Sequence, residues 1–138
     1  MSNIDFSQVM TAEAKAAARQ AELKAAVTTE RDRRLYAGVT VAVTGYGAVP
    51  LQGRPADQVN LLALENSARD LDAAGVSAPV LTFRDAANAM HMLTPAQVLE
   101  MAGKGKAAAS AIYTASWLMK DGGAIPEDYA DDAHWPAA

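Results

Sequence analysis

Phe83-Arg84-Asp85-Ala86-Ala87-Asn88-Ala89-Met90-His91-Met92-Leu93 runs straight into Thr94-Pro95-Ala96-Gln97, and the fold is read outward from this stretch. Two short apolar runs flank a small polar turn, which is the pattern of a hairpin. The next four residues form a helix start. Thr94 can accept from the third backbone NH, Gln97 can reach back to the cap, and Pro95 sits in the first turn, where its missing NH costs nothing. An alanine-rich run then continues to Trp117.

The same order occurs upstream. Val39, Val41 and Val43 alternate with Thr40, Ala42 and Thr44 as a half-buried strand does, and Gly45-Tyr46-Gly47 turns it. Val49 to Gln52 returns as an edge or irregular strand, because Pro50 cannot donate to a ladder. Gly53-Arg54-Pro55-Ala56 opens a helix, with Asp57 placed favourably for the dipole. Leu61, Leu64, Ala68 and Leu71 recur at helical spacing, with Val59 and Leu62 broadening the stripe. Read as a buried face, this predicts that Leu64→Ala costs roughly 2 to 5 kcal/mol. Gly75 closes the helix, and Pro79 begins the next extended segment.

Arg54-Pro55-Ala56 thus stands where Thr94-Pro95-Ala96 stands in the second unit. The expected fold class is α+β: an N-terminal helical arm, then a doubled ββα arrangement in which a small antiparallel sheet carries helices on one face. Residues 1–37 are read as an arm and helix for anchoring or oligomerisation, 38–121 as the compact domain, and 122–138 as an acidic tail. The tail is expected to be extended unless a partner orders it.

Thr11 is read as the cap of a helix from about Ala12 to Ala37, closed by Gly38. Its apolar stripe, Ala12, Ala16, Leu23, Val27 and Leu35, is thin for its length, so the helix is expected to be partly exposed or to pack against a copy of itself. Met1 to Met10 ahead of it has no clear period and reads as a frayed opening, with a docking peptide anchored by Ile4 and Phe6 as the alternative. Further along, Gly103 and Gly105 predict a kink, a break or a close helix crossing. Ala109, Ile112, Ser116 and Met119 share one face, and Tyr113 and Trp117 stand one turn apart. The residues assigned to partner contact are Ile4, Phe6, Leu23, Val27, Tyr113, Trp117 and Trp135.

Composition excludes several chemistries. The 138 residues include no cysteine, so disulfides, thiolate metal sites and thiol nucleophiles are absent. The net charge of −4 divides unevenly: residues 1–37 carry six basic and five acidic side chains, the rest six and eleven. An acidic body argues against a phosphate-binding surface and hence against nucleic acid. No run approaches the length of a membrane span, and the N-terminus lacks signal-peptide character, so no membrane insertion is expected and the address is cytoplasm or a particle assembled there.

The motifs that invite chemistry are incomplete. Val43-Thr44-Gly45-Tyr46-Gly47 resembles a potassium-filter signature with no membrane helices around it. Gly103-Lys104-Gly105-Lys106 has Glu100 where a phosphate loop needs its first glycine, and Ala107 where magnesium needs a hydroxyl. His91 has no orienting partner at a defined spacing and is read as a packed or surface residue. Asp128, Asp131, Asp132 and His134 match no metal-loop spacing. No catalytic residue, metal ligand or cofactor is assigned.

Three stretches resemble a known family. Thr11 to Leu35, above all Thr28-Thr29-Glu30-Arg31-Asp32-Arg33-Arg34-Leu35, the region Gly38 to Leu64, and Phe83 to Asn88 with Met92 to Gln97 are similar to a small domain of unknown function in bacteriophage and prophage tail proteins. The resemblance implies a non-enzymatic virion component, a fibre or baseplate accessory in the virion tail or in the host cytoplasm during assembly. Its partners would be other tail proteins, with a homo-oligomer, such as a trimer, as its form. The alternatives are a transient tail-fibre assembly chaperone, and a host-surface carbohydrate-binding module or small hydrolase. The last would need a cleft around His91, Tyr46 or Asp85.

Overall fold

Gly38 is where the first helix becomes the first strand. Its φ is +77°, and a Cβ there would stand 1.8 Å from the Leu51 carbonyl oxygen, so no other residue fits without moving the backbone. Gly53 meets the same junction from the other side, donating its NH to the Leu35 carbonyl at 2.9 Å.

The computed structural model describes residues 6–137, with side chains from Thr11 to Ala137. Helix α1 spans Phe6–Ala37, strands β1 and β2 span Val39–Val43 and Gly47–Leu51, and α2 spans Pro55–Ala73. Strands β3 and β4 span Leu81–Arg84 and Met90–Leu93, α3 spans Pro95–Asp121, and a short 3-10 turn covers Asp132–His134. The fold is α+β, with an N-terminal helix ahead of a doubled strand-strand-helix order. Thr11 lies inside α1 and is not its cap. Nothing between Phe6 and Thr11 is a glycine or proline that would stop the helix.

The strands form two separate antiparallel ribbons where one small sheet was expected. Val39 pairs with Leu51 and Val43 with Gly47 in the first, Leu81 with Leu93 and Arg84 with Met90 in the second. Pro50 has no NH to extend a ladder, and the ribbons meet through Ala86, whose NH donates to the Pro50 carbonyl at 3.1 Å. The helix starts follow the sequence closely. Thr94 Oγ1 accepts from Gln97 N at 3.1 Å while Gln97 Oε1 accepts from Thr94 N at 3.0 Å. At α2, Asp57 accepts from Arg54 N at 3.2 Å; arginine has no acceptor to return, so this is half of the same device.

Helix α3 runs unbroken through both of its glycines. Gly105 serves a close crossing: a Cβ there would lie 3.0 Å from Leu51 Cδ1 and 3.4 Å from Leu61 Cδ2, whereas Gly103 faces open space. One end of α3 buries Val98 and Met101 against Val41, Val43, Val49, Leu51, Leu81, Leu93 and Ala68. The other end packs Ile112, Ala115 and Met119 over Leu23 and Val27 of α1.

The tail is not extended. Ile125 and Trp135 complete the second core, so residues after Gly123 fold back over α1 and α3. Trp135 Nε1 donates to the Tyr129 carbonyl at 2.7 Å, and Ile125 N donates to Gln20 Oε1 at 3.3 Å. Arg19 and Glu127 close a further ion pair. Acidic composition suggested solvent, but the few apolar side chains of the tail find a prepared surface, and their burial outweighs the ordering cost.

Candidate functional site

The α2 stripe does not face one way. Ala68 is buried, and Leu61, Leu64 and Leu71 are half-buried against the first core, but Val59 and Leu62 are 66% and 53% exposed. They do not broaden the core. They stand instead on the wall of an apolar groove of about 390 Å³, formed where α2, α3, the last turns of α1 and the outer ends of β1 and β2 converge. Leu35, Val39, Leu51 and Ile112 contribute to its lining. Gly105 of α3 also lines it, at the close approach to Leu51 and Leu61.

Charges at the groove are already engaged. Glu65, whose side chain is 4% exposed, accepts from Lys106 Nζ at 2.6 Å and from Arg69 Nη2 at 2.7 Å. A buried carboxylate is tolerated because both partners satisfy it. Arg34 is tied to Glu30 at 2.9 Å and to Asp132 at 2.7 Å. Hydrogen bonding from Arg33 holds the Glu30 carboxyl below its usual range, with Arg34 adding to the effect against the opposing cost of burial. The site offers apolar area with a fixed polar rim.

His91 has more company than its sequence position suggested. Its Nε2 lies 2.6 Å from Asp85 Oδ2, and its Nδ1 meets the Tyr46 hydroxyl. With the proton on Nε2, the imidazole donates to Asp85 and accepts from Tyr46. Asp85 Oδ1 accepts from Ala87 N at 2.8 Å and Ala89 N at 2.9 Å. The His91 hydrogen bond, followed by the backbone bonds, keeps the Asp85 carboxyl below its ordinary range. The expectation that His91 lacks an orienting partner is therefore wrong. Asp85 lies in the loop of the same ribbon and Tyr46 in the turn of the other, so the contact joins the two hairpins. None of the three residues lines the apolar groove.

Of the residues assigned to partner contact, Ile4 lies outside the described residues, and Phe6 belongs to α1 with its side chain outside them. Leu23, Val27 and Trp135 are brought together, but inside the chain's own second core, where they are 2%, 0% and 6% exposed. They offer no outer surface because α3 and the tail cover that face of α1. The Tyr113 and Trp117 rings meet on α3 at a tilt of 34° with centroids 5.7 Å apart; Arg31 lies 5.0 Å over Tyr113, and Trp117 is exposed.

Among the described residues no group of three or more His, Asp and Glu could hold a metal. Asp131 accepts from Ala133 N, Asp132 binds Arg34, and His134 pairs with Asp128 at 2.9 Å. Lys104 and Lys106 are helical and bind Glu100 and Glu65. No helix among the described residues is long and apolar enough to cross a membrane. Sequence reasoning missed the groove, since Val59 and Leu62 flank the apolar stripe of α2 and nothing in the spacing shows that they stay outside the core.

A family model described as a domain of unknown function, DUF4376, matches residues 17–134. No curated protein and no solved structure matches the chain.

Proposed function

The chain belongs to the DUF4376 family of domains of unknown function, and from that premise we propose that it is a non-enzymatic subunit acting through protein-protein contact, placed in a bacteriophage tail as a fibre or baseplate accessory. The observation that carries the contact role is the open apolar groove walled by Val59 and Leu62, whose exposure gives a partner area to bury. The tail placement rests on the resemblance of Thr28 to Leu35, Phe83 to Asn88 and Met92 to Gln97 to tail-protein domains. On this reading its neighbours are other tail proteins, its form is a homo-oligomer, and it resides in the virion tail or in the host cytoplasm during assembly.

Mass spectrometry of purified particles from the source strain tests the placement. The chain is expected at a stoichiometric ratio to other tail proteins. Detection in lysate but not in particles would make it an assembly chaperone instead, and absence of any tail protein from its co-purified complexes would defeat both.

A further inference from the structure

We propose that the apolar groove receives the N-terminal segment of a second copy of this chain. The proposal rests on the reading that the protein works by protein contact, and it is independent of placement in a tail.

Every position of α1 from Thr11 to Arg19 is exposed, whereas the part from Leu23 onward is buried on one side by α3 and the tail. The stretch 11–18 therefore lies outside both packed cores. Ahead of it the sequence gathers Ile4, Phe6, Val9 and Met10, while residues 11–22 offer no apolar side chain larger than alanine. Bulky apolar residues gathered in sequence ahead of an exposed helical stretch have the chemistry of an anchor, and the groove has the chemistry of its receptor. Asp5 is the one charged side chain in residues 1–10, so the segment brings little charge to a groove whose own Arg34, Glu65 and Lys106 are already paired.

Reach decides between one chain and two. Leu35 lines the groove and belongs to the same continuous helix as Phe6. At a rise of about 1.5 Å per residue the helix holds Phe6 about 44 Å away from Leu35. Residues 1–5 extend by at most about 18 Å, so a chain cannot fill its own groove. The contact is head to tail, with a different surface on each copy, and such contacts close into a ring or propagate.

The test uses the full chain and two variants. Val59→Asp with Leu62→Asp spoils the groove at exposed positions; Ile4→Ser with Phe6→Ser spoils the arm. Light scattering at tens of micromolar is expected to show an oligomer for the native chain and the 14.4 kDa monomer for each variant, with circular dichroism unchanged. Mixed in equal amounts, the two variants retain one sound groove and one sound arm between them, and form a dimer and nothing larger. A monomeric native chain, meaning that the groove takes some other occupant, overturns the proposal. So do variants that keep the native mass, or a mixture that stays monomeric. Particle mass spectrometry reads the tail placement separately, so either idea can fail alone.

Discussion

Arg34 lays its guanidinium 5.0 Å over the ring of Trp135 and donates to the Ala130 carbonyl at 3.0 Å. The last turns of α1 and the end of the chain, a hundred residues apart in sequence, are closed on each other by this pair. Since Trp135 is only 6% exposed, Trp135→Ala should lower stability by about 3 to 5 kcal/mol, measured by urea unfolding. A loss below about 1 kcal/mol would mean that the tail detaches without consequence.

The two glycines of α3 should respond in opposite directions. Gly103 faces open space, so Gly103→Ala gains helix propensity and should stabilise by up to about 1 kcal/mol. Gly105 lies against Leu51 and Leu61, and Gly105→Val should destabilise by about 1 to 3 kcal/mol through overpacking. Thermal melts of the two variants check this, and equal shifts would contradict the close crossing.

Leucine truncations should follow depth. Leu93 is fully buried, Leu64 half-buried and Leu62 mostly exposed. Leu93→Ala should cost about 2 to 5 kcal/mol, Leu64→Ala about 1 to 2, and Leu62→Ala less than about 0.5. The value for Leu64 is lower than its periodicity alone suggested, because part of its surface remains in water. Chemical denaturation of the three variants would expose any inversion of this order.

Acid should weaken the fold through the carboxyls of Glu30 and Asp85. Both are held below their ordinary range in the folded chain, Glu30 first by Arg33 and Asp85 first by His91. The unfolded chain, with values near about 4, takes up these protons first. Their stabilisation is therefore present above about pH 4 and lost as pH falls through the folded values. Glu30→Gln should be less stable than the native chain at neutral pH, and the gap should shrink on acidification. Unfolding free energies across the acid range supply the check; a constant gap would show that the ionised carboxylate does not contribute.

Local chemistry alone suffices for the joints of this molecule. Thr94, Pro95 and Gln97 make the α3 start, Gly38 closes α1, and the alternating valines of residues 39–43 pair as a hairpin, since each depends on hydrogen bonds and backbone angles within a few residues. The doubled strand-strand-helix order was legible for the same reason. The start of α1 was not, because a cap-competent threonine does not end a helix that its upstream neighbours are able to continue.

Burial and partnership belong to the tertiary structure. The α2 stripe shows which side chains prefer to leave water, but only the position of α3 decides that Leu61 is half-buried against the first core while Leu62 stays mostly exposed. The sequence places Asp85 and Tyr46 in two separate turns, and their meeting at His91 depends on how the ribbons approach. The acidic tail reads as solvated until Trp135 finds the face of α1 beside Arg34. In each case the deciding quantity is the surface offered by a distant segment, and periodicity along one element carries no information about what lies across from it.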